Sequence, residues 1–600
     1  MKPVFIAGSI ALFFAGVVLT IENEFHLRIL FMVCVYLLCA EGMNVLVGYA
    51  GQKSLGQAGL FAVGAYTVAL MTSRYGIDPW VSLLAASFMS VLFGILIAIP
   101  SLRVQGPSLA MVTLAFGLVM EKVVTEATGV FGGAMGIYAI RPLTFFGSPF
   151  TMKQWVWFSI ALCFVFHILL GNVLRGKVGR ALLAVQYDEL AAGSVGVSVY
   201  RYKIIAFVIA ALTCGMGGAL VAQQNQYINS DFVNFPLSVF ILLLVLFGGA
   251  ASRSGPFLGS FILVILGAFL ARWPWLEHLA NGALLLFALY LMPKGVAGAL
   301  GKAYRKLREK GGAAADEAFQ HKGRLSLPVR ESPMIEKEIL QATDLYKAFG
   351  GVVPARNVSV ALDRDHIHAL IGPNGAGKST CVNMLTGLTK VDAGDVRFLG
   401  RDITGLATYK RCELGLSRTF QNLRLFKDLS VFENVLIGQH VRIRAGFWSY
   451  LLRTRTARDE EERAHMRTAS ILAFTGLTNA AHRSAGDLPY GMQRRVEIAR
   501  ALAAEPHVLL LDEPAAGLNP QETEALGVLL RRIRDSGVTI LLIEHHMDLV
   551  MDVSDSIFVL DYGEKIAEGS PDHISVDKRV REAYLGTSLE PGMGDSYAAA

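Results

Sequence analysis

The sequence predicts a polytopic α-helical membrane domain followed by a P-loop α/β domain with a helical subdomain. A chain of 600 residues is too long for one hydrophobic core, so two or three domains are expected. Of the 55 Lys and Arg and the 49 Asp and Glu side chains, 26 precede Gly301 and 78 follow it, although the two halves are nearly equal in length. Long apolar runs recur in the first half, whereas the second half contains a glycine-rich loop between an apolar strand and a helix.

About ten apolar runs are candidate membrane-spanning helices, since a helix needs about 20 mainly apolar residues to cross a bilayer. Their approximate limits are 3–21, 27–48, 54–72, 80–100, 106–126, 154–172, 203–222, 237–249, 256–271 and 279–292. The first run lacks a polar, small-residue cleavage region, so we interpret it as a span rather than a signal peptide. The six cysteines form no Cys-x-x-Cys pair and are expected to be small core residues, without a disulfide or a zinc site.

The loop from Arg175 to Lys203 is the most basic internal loop of the first half, which predicts that it is cytoplasmic. Four predicted spans follow it, so the end of the membrane domain should also be cytoplasmic. The first half carries 16 basic and 10 acidic residues, so the net charge of +6 arises there. This charge indicates loops that face anionic membrane lipid, and it does not indicate nucleic acid binding.

Composition predicts the domain boundaries. We expect a transmembrane domain at residues 1–301, a flexible linker at 302–335, the P-loop domain at 336–588 and a disordered tail at 589–600. Between residues 442 and 470, aromatic and charged side chains mix as in an amphipathic helical subdomain.

The glycine-rich loop fits the phosphate-binding pattern G-x-x-x-x-G-K-[ST]. It reads Gly372-Pro373-Asn374-Gly375-Ala376-Gly377-Lys378-Ser379-Thr380. Its glycines allow the backbone to wrap a phosphate, Lys378 can reach the β- and γ-phosphates, and the Ser379 hydroxyl can bind Mg²⁺. The loop therefore predicts a bound nucleotide with Mg²⁺, but by itself it does not separate a transporter motor from a GTPase or a small-molecule kinase.

Further downstream, an apolar strand ends in Asp512 and Glu513. This position suits Asp512 as a Mg²⁺ ligand and Glu513 as the group that polarises the attacking water. His545 follows another apolar strand and could hold the γ-phosphate. Phe349 precedes the loop and could stack on adenine, although a core aromatic is nearly as good an interpretation.

The stretch after residue 487 decides among these classes. It reads Leu488-Pro489-Tyr490-Gly491-Met492-Gln493, followed directly by a helix. With the phosphate loop and the acidic strand end, it resembles the signature motif of ATP-binding cassette (ABC) ATPases over roughly residues 336 to 588. The resemblance implies that Gln421 is the Q-loop residue, a Mg²⁺ ligand and catalytic group, and that His545 is the switch histidine.

Within that family, the text around the signature and after Glu513 is similar to the LivG-type ATPases of branched-chain amino acid importers. Two positions depart from the common ABC pattern. Pro489 and Tyr490 replace the usual Ser and first Gly of the signature, and Asn519 replaces the usual Asp after the acidic strand.

The first half resembles the LivM-type permeases of the same importers. The resemblance rests on residues 48–58, on 64–66 and 179–182, and on the glycines near 248 and 255. Ala251 stands where that family commonly has glycine. The resemblance also implies a cytoplasmic coupling segment that docks on an ATPase, although an amphipathic surface helix explains these residues equally well. Its residues include Glu189, Ala191, Ala192 and Gly196.

Two interrupted apolar segments in the first half could line a substrate path, because broken helices in transporters often do so. Their polar residues are Ser54, Gln57, Ser108 and Thr113. Helix packing through small residues explains them at least as well.

The resemblances together imply a fused half-transporter of the bacterial inner membrane, with both termini and the ATPase cytoplasmic. Its expected activity is ATP-driven import of a small solute, and branched-chain amino acids, urea, short amides and aromatic acids are all open. Its expected partners are a second permease subunit, a second ABC ATPase subunit and a periplasmic binding protein. The rival functions are an ABC exporter half and a membrane-anchored regulatory ATPase.

Overall fold

The computed structural model describes residues 15–102, 106–291, 295–310 and 337–585, with residues 8, 12 and 104 as single positions. The chain divides into two compact units. The first unit comprises residues 1–187, 199–316 and 446–454, and the second comprises 188–198, 317–445 and 455–600. Each unit is therefore built from segments that are far apart in the sequence.

Helices dominate the chain up to residue 310. They are α1 Glu24–Met43, α2 Gln57–Ser73, α3 Pro79–Ser101, α4 Pro107–Glu126, α5 Thr128–Phe131, α6 Met152–Arg175, α7 Lys177–Tyr187, α8 Glu189–Ser194, α9 Val199–Asn225, α10 Phe235–Gly248, α11 Gly255–Leu270, α12 Pro274–Leu291 and α13 Gly295–Lys310. Short strands pair as β1 with β4 and β2 with β3. They are β1 Ile137–Tyr138, β2 Thr144–Phe145, β3 Ser148–Pro149 and β4 Tyr227–Ile228.

Six helical stretches among the described residues are long and apolar enough to cross a membrane. They are Glu24–Tyr49, Pro79–Ser101, Pro107–Glu126, Met152–Arg175, Val199–Asn225 and Ser230–Gly248. The polytopic α-helical prediction is confirmed. Helices α2, α11 and α12 lie at three further predicted spans, and residues 15–20 are helical, so a total of about ten spans stays a prediction.

Helix α1 continues into a π-helix at Asn44–Tyr49, which packs against the turn after α10. The Asn44 side chain accepts a hydrogen bond from the Ala251 backbone N–H at 2.9 Å and donates one to the Ser252 carbonyl at 2.9 Å. A side chain at Gly48 would place its Cβ 2.4 Å from the Ala251 nitrogen. Ala251 itself has φ of +58°, in the left-handed region that favours glycine.

Two sheets form the centre of the second unit. A six-stranded sheet has the order β10-β11-β12-β7-β13-β14 and is parallel except for β14, and a four-stranded antiparallel sheet has the order β6-β5-β8-β9. Their strands are β5 Glu338–Phe349, β6 Val352–Asp363, β7 Ile367–Ile371, β8 Ala393–Phe398, β9 Arg401–Asp402, β10 Leu416–Arg418, β11 Val508–Asp512, β12 Thr539–Ile543, β13 Ser556–Asp561 and β14 Glu564–Gly569. Strands β7, β11 and β12 are buried throughout, which explains their uninterrupted apolar runs.

Helices surround these sheets and complete the predicted α/β domain. They are α14 Lys378–Leu385, α15 Thr408–Leu414, α16 Val431–Gly438, α17 Phe447–Leu451, α18 Arg455–Phe474, α19 Tyr490–Leu502, α20 Pro520–Asp535, α21 Met547–Val553, α22 Pro571–Val576 and α23 Lys578–Leu585. The carboxyl ends of the parallel strands meet at one edge, where the loops after β7, β10, β11 and β12 lie together.

Three boundaries differ from the composition-based expectation. Helix α13 extends to Lys310, so the first part of the predicted linker is helical, and residues 311–336 lie outside the described residues together with the predicted tail at 589–600. Residues 188–198 belong to the second unit, and residues 446–454 belong to the first. Composition alone does not reveal these exchanges, because they depend on contacts between segments that are far apart in the sequence.

Candidate nucleotide site

The phosphate loop joins β7 to α14, as predicted from the motif. Gly377 precedes α14 with φ of +94°, and a Cβ at this position would lie 1.9 Å from the Pro354 carbonyl oxygen. Only glycine fits both constraints. The loop therefore presents its backbone amides at the N-terminus of α14, where an anion is favoured.

Lys378 points back into the loop. Its Nζ donates to the carbonyl oxygens of Gly372 at 2.6 Å and Pro373 at 2.9 Å, and the residue is only 7% exposed. Burial lowers the pKa of Lys378, while the nearby carboxylates Glu513 and Asp512 oppose this shift. The ammonium group is thus held over the concave face of the loop.

The three predicted catalytic residues meet at the end of β11. Glu513 Oε1 lies 2.7 Å from His545 Nε2, and Gln421 Nε2 donates to Glu513 Oε2 at 3.0 Å. Glu513 has φ of +48°, a strained conformation for a non-glycine residue. The positive φ interrupts the extended backbone at Glu513, and the Glu513 side chain lies against Gln421 and His545. A carboxylate held by an amide and an imidazole is suited to orient and deprotonate water.

Asp512 lies one residue earlier and is 4% exposed. Its Oδ2 accepts a hydrogen bond from Arg418 Nη2 at 3.3 Å, whereas its Oδ1 is buried without a protein partner among the described residues. Burial raises the pKa of the Asp512 carboxyl, and Arg418 opposes this shift. A buried carboxylate oxygen without a donor fits a Mg²⁺ ligand, and the exposed, hydroxyl-bearing Ser379 is the second residue of the adjacent α14.

Sequence reasoning missed Arg418 as a site residue. This arginine ends β10 and is 5% exposed. Its Nη1 donates to Asn383 Oδ1 at 2.8 Å and to Thr386 Oγ1 at 2.9 Å, so it ties the phosphate-loop helix to Asp512. Arg418 lies only three residues before Gln421, and this position could have identified it as a candidate site residue.

Arg411 was also missed. It lies on α15, is 1% exposed and donates to carbonyl oxygens at the end of α14, at 2.8 Å for Met384 and 2.6 Å for Leu385. It also donates to the carbonyls of Leu406 at 3.0 Å and Thr404 at 2.8 Å. Arg411 therefore caps the helix that carries the phosphate loop.

The signature stretch lies before and within the first turn of α19. Pro489 is the N-cap of this helix, and Gln493 Nε2 donates to the Leu488 carbonyl at 2.8 Å. A Cβ at Gly491 would lie 2.4 Å from Glu522 Oε1, so glycine permits the close approach of α20. Tyr490 is 43% exposed.

Further along α19, buried Arg494 donates to the Phe420 carbonyl at 2.8 Å and also to the carbonyl of Gln421. Glu497 lies 3.2 Å from Arg494 and is 1% exposed. The signature helix is therefore joined directly to the segment that carries Gln421.

Phe349 ends β5 and is 53% exposed, with Lys347 Nζ 5.2 Å from its ring centre. The alternative of a core aromatic is wrong for this residue. Adenine stacking on the exposed ring stays a prediction. Asn519 is the N-cap of α20 and forms a capping box with Glu522, which gives this position a structural role.

Comparisons with known families match both halves of the chain. The family described as "Branched-chain amino acid transport system / permease component" matches residues 25–289, and the family described as "ABC transporter" matches residues 355–516. A third, described as "Branched-chain amino acid ATP-binding cassette transporter", matches residues 564–590.

Among curated proteins, the high-affinity branched-chain amino acid transport ATP-binding protein BraF of Pseudomonas aeruginosa is 43% identical over 42% of this chain and 99% of its own length. The chain belongs to the branched-chain amino acid ABC transporter family. The corresponding LivG protein of Escherichia coli K12 is 43% identical, with the same coverage. A crystal structure of a nucleotide-free ATP-binding cassette from an ABC transporter is 34% identical, with a TM-score of 0.37, over 42% of this chain and 99% of that one.

Membership in this ABC transporter family confirms the predicted fusion of a permease with an ATP-hydrolysing cassette. The residues predicted for the coupling segment lie between α7 and α9. Asp188, the N-cap of α8, accepts a hydrogen bond from Arg424 Nη1 at 2.6 Å. A Cβ at Gly196 would lie 1.9 Å from Val441 Cγ1, and Gly196 has φ of +84°. Ala191 and Ala192 are fully buried.

The predicted path residues of the permease half lie in different surroundings. Residues 51–56 are not helical, as the pattern predicted, and the Leu55 backbone N–H donates to Thr113 Oγ1 at 3.0 Å. Ser54 and Gln57 are buried, whereas Ser108 is exposed and is not brought into this cluster.

Proposed function

We propose that this chain is one half of an ATP-driven importer whose solutes are branched-chain amino acids. The observation that carries the proposal is the presence, on one chain, of a match to the permease component and a match to the cassette of the same transport family. Curated relatives of the cassette are named as high-affinity branched-chain amino acid transport ATP-binding proteins. Urea, short amides and aromatic acids are the competing solutes.

ATP is proposed to bind in the loop from Gly372 to Thr380, with Phe349 against the adenine. Lys378 exchanges its two carbonyl partners for phosphate oxygens, which is possible because both partners belong to the loop itself. Ser379, Asp512 and Gln421 would hold Mg²⁺, which would neutralise part of the phosphate charge.

Glu513 acts as the base for the attacking water in this proposal. Gln421 and His545 each contact one of its carboxylate oxygens, and the hydrogen bond from Gln421 keeps the base at the phosphate edge of the sheet when His545 turns away. When ATP is bound, His545 is free to turn towards the γ-phosphate, because its ring is 43% exposed. Glu513 takes a proton from the water as the new P–O bond forms and the bond to ADP breaks, and it then releases that proton to the phosphate product or to solvent.

Residues 188–198 are proposed to be the coupling segment. Their place in the second unit supports this role, as does the ion pair of Asp188 with Arg424, three residues after Gln421. After the turn at residues 195–198, the chain enters α9 of the permease half. A change at the nucleotide site that moves the Gln421 segment therefore acts directly on Asp188.

The substrate path is proposed to pass Gln57. Among the described residues, neither its buried amide nitrogen nor its buried amide oxygen has a protein partner, and the residue is 1% exposed. A buried amide without partners is costly, and such a group is suited to bind a polar solute or water. Ser54 and Thr113 border the same non-helical segment, whereas the exposure of Ser108 gives it no support as part of this lining.

A second permease and a second ATPase subunit, with a periplasmic binding protein, are proposed to complete the transporter in a bacterial inner membrane. ABC ATPases bind each nucleotide between one phosphate loop and the opposing signature. Pro489 has neither an N–H nor a hydroxyl to offer a γ-phosphate. A partner ATPase with a better signature would therefore serve Lys378 of this chain.

Reconstitution into liposomes tests this proposal. The chain is tested alone and with its co-purifying subunits and binding protein, and ATP-dependent uptake of radiolabelled leucine is measured with urea, acetamide and benzoate as competitors. We expect leucine uptake only in the complete assembly and none with Lys378→Ala. Uptake of urea or benzoate in preference to leucine would overturn the solute, and full uptake by the chain alone would overturn the heteromer.

A further inference from the structure

Residues 446–454 leave the unit that surrounds them in the sequence. They belong to the first compact unit, whereas the residues up to Ala445 and from Arg455 belong to the second. We call residues 446–454 the docking segment. Their central part forms the short helix α17, whose Phe447 and Leu451 pack against the core of the first unit. An excursion from the nucleotide-binding half is thus part of the permease core.

The docking segment closes over the corner between α6 and α7. Tyr450 is 4% exposed and lies against Gly176, the residue between these two helices. A Cβ at Gly176 would lie 2.1 Å from Tyr450 Cδ1. The φ of Gly176 is −99°, which any residue can adopt. The backbone conformation therefore does not require glycine here, whereas the close approach of the Tyr450 ring does.

A hydrogen bond fixes the segment at a second point. Asn172 Nδ2, on the last turns of α6, donates to the Leu451 carbonyl oxygen at 3.2 Å. Trp448, two residues before Tyr450, is 72% exposed. One face of α17 is therefore held by the permease, while Trp448 has an exposed ring whose aromatic contact is with Phe447 and not with the α6–α7 corner.

Both ends of α7 are consequently linked to the nucleotide-binding half. Its N-terminal end follows Gly176, under Tyr450, and its C-terminal end continues directly into residues 188–198 of the second unit. Helix α7 spans Lys177–Tyr187, a length of about 16 Å at 1.5 Å per residue. A helix attached at one end can pivot, whereas a helix attached at both ends must follow its attachments.

We propose that the docking segment is a second coupling element, which transmits nucleotide-dependent movement to the α6–α7 corner of the permease. It acts alongside the proposed coupling segment at residues 188–198. The proposal rests on the proposed function in so far as ATP binding is taken to drive the permease. Tyr450 is a positioning residue here, since it acts through Gly176 and α6.

Amide hydrogen exchange of the full chain in lipid nanodiscs tests the proposal without a transported solute. Exchange is compared with and without a non-hydrolysable ATP analogue for residues 152–187 and, as a report of binding, for residues 367–385. We expect both regions to respond in the unmodified chain. Tyr450→Ala should keep the response at 367–385 and lose at least three-quarters of the response at 152–187, whereas the matched control Trp448→Ala should keep both.

The possible outcomes separate the two proposals. A retained response at 152–187 in Tyr450→Ala, or no such response in the unmodified chain despite nucleotide binding, would overturn the docking proposal. Absence of a response at 367–385 in the unmodified chain would refute ATP binding and both proposals with it. Failure of leucine uptake with an intact exchange response would refute the solute and leave the docking segment supported.

A second pair of variants guards against simple misfolding of Tyr450→Ala. Gly176→Ala adds a methyl group against the tyrosine ring, so it should weaken the response at 152–187 by itself. Combined with Tyr450→Ala, it should cause no further loss, because the clashing ring is gone. Additive losses in the double variant would show that the two residues do not act through one contact.

Discussion

Replacing Arg411 with methionine should destabilise the second unit by about 4 kcal/mol. The guanidinium donates hydrogen bonds of 2.6 to 3.0 Å to the carbonyl oxygens of Leu406, Met384, Leu385 and Thr404. Methionine fills a similar volume but offers no donor. The end of the helix that carries the phosphate loop would then lose its cap in a buried environment.

The magnitude follows from these bonds. A hydrogen bond to a charged group contributes roughly 1.5–3 kcal/mol, so the set amounts to about 6–12 kcal/mol before desolvation is subtracted. Desolvation costs several kcal/mol for a buried ion. Burial lowers the pKa of Arg411 to about 10, because the desolvated environment disfavours the charged guanidinium. The remaining loss of about 4 kcal/mol corresponds to a fall in Tm of roughly 8–16 °C.

The assay is thermal unfolding of the purified full chain, followed by the loss of exchange protection at residues 367–385. Arg401→Met is the matched control, because Arg401 is exposed on a short edge strand. Arg411→Lys should lie between the two, since one ammonium group cannot reach carbonyls on several sides. A Tm for Arg411→Met within about 2 °C of the control would refute the capping argument.

Three further outcomes are expected. Glu513→Gln should lower the rate of ATP hydrolysis by at least about 100-fold, because the attacking water loses its base, while the affinity for ATP stays within about threefold. Turnover and nucleotide-binding assays measure the two effects. Near-normal turnover would refute the role of Glu513 as the base. A cysteine introduced at exposed Asp231 should react with an impermeant maleimide outside intact cells, and a cysteine at exposed Arg201 should not. The six native cysteines are buried and should give a low background. The reverse labelling pattern would show that the predicted orientation in the membrane is inverted. Ala251→Gly should stabilise the first unit by about 1 kcal/mol because Ala251 has φ of +58°, whereas Ala271→Gly, at φ of −55°, should give no gain in Tm.

Local sequence patterns were sufficient to predict the phosphate loop and the acidic end of β11. Each feature is a continuous stretch of a few residues, Gly372 to Lys378 in the loop and the pair Asp512 and Glu513 at the strand end. The roles of Gln421 and His545 came from the family resemblance, through their places in the order of its motifs. Their hydrogen bonds to Glu513 show that the parallel sheet brings these strand ends to one place.

The sequence could not reveal contacts whose partners are far apart along the chain. Arg411 is separated from Met384 and Leu385 by a strand pair, and nothing in its own neighbourhood distinguishes it from a surface arginine. The π-helix at Asn44–Tyr49 depends on the turn at Ala251, some two hundred positions later in the sequence. The transfer of residues 446–454 to the first unit likewise depends on a glycine, Gly176, in the other half.

The exchange of segments between the two units has a consequence for biosynthesis. Roughly 260 residues separate Tyr187 from Gly446, so at 5–20 residues per second the ribosome needs about 13–52 s to supply the segment that completes the α6–α7 corner. During that interval the inserted helices expose the apolar site that Phe447, Tyr450 and Leu451 later fill. The permease half therefore matures only after much of the cassette has been translated, and production of the two halves as separate chains would leave each nascent fold waiting for a piece of the other.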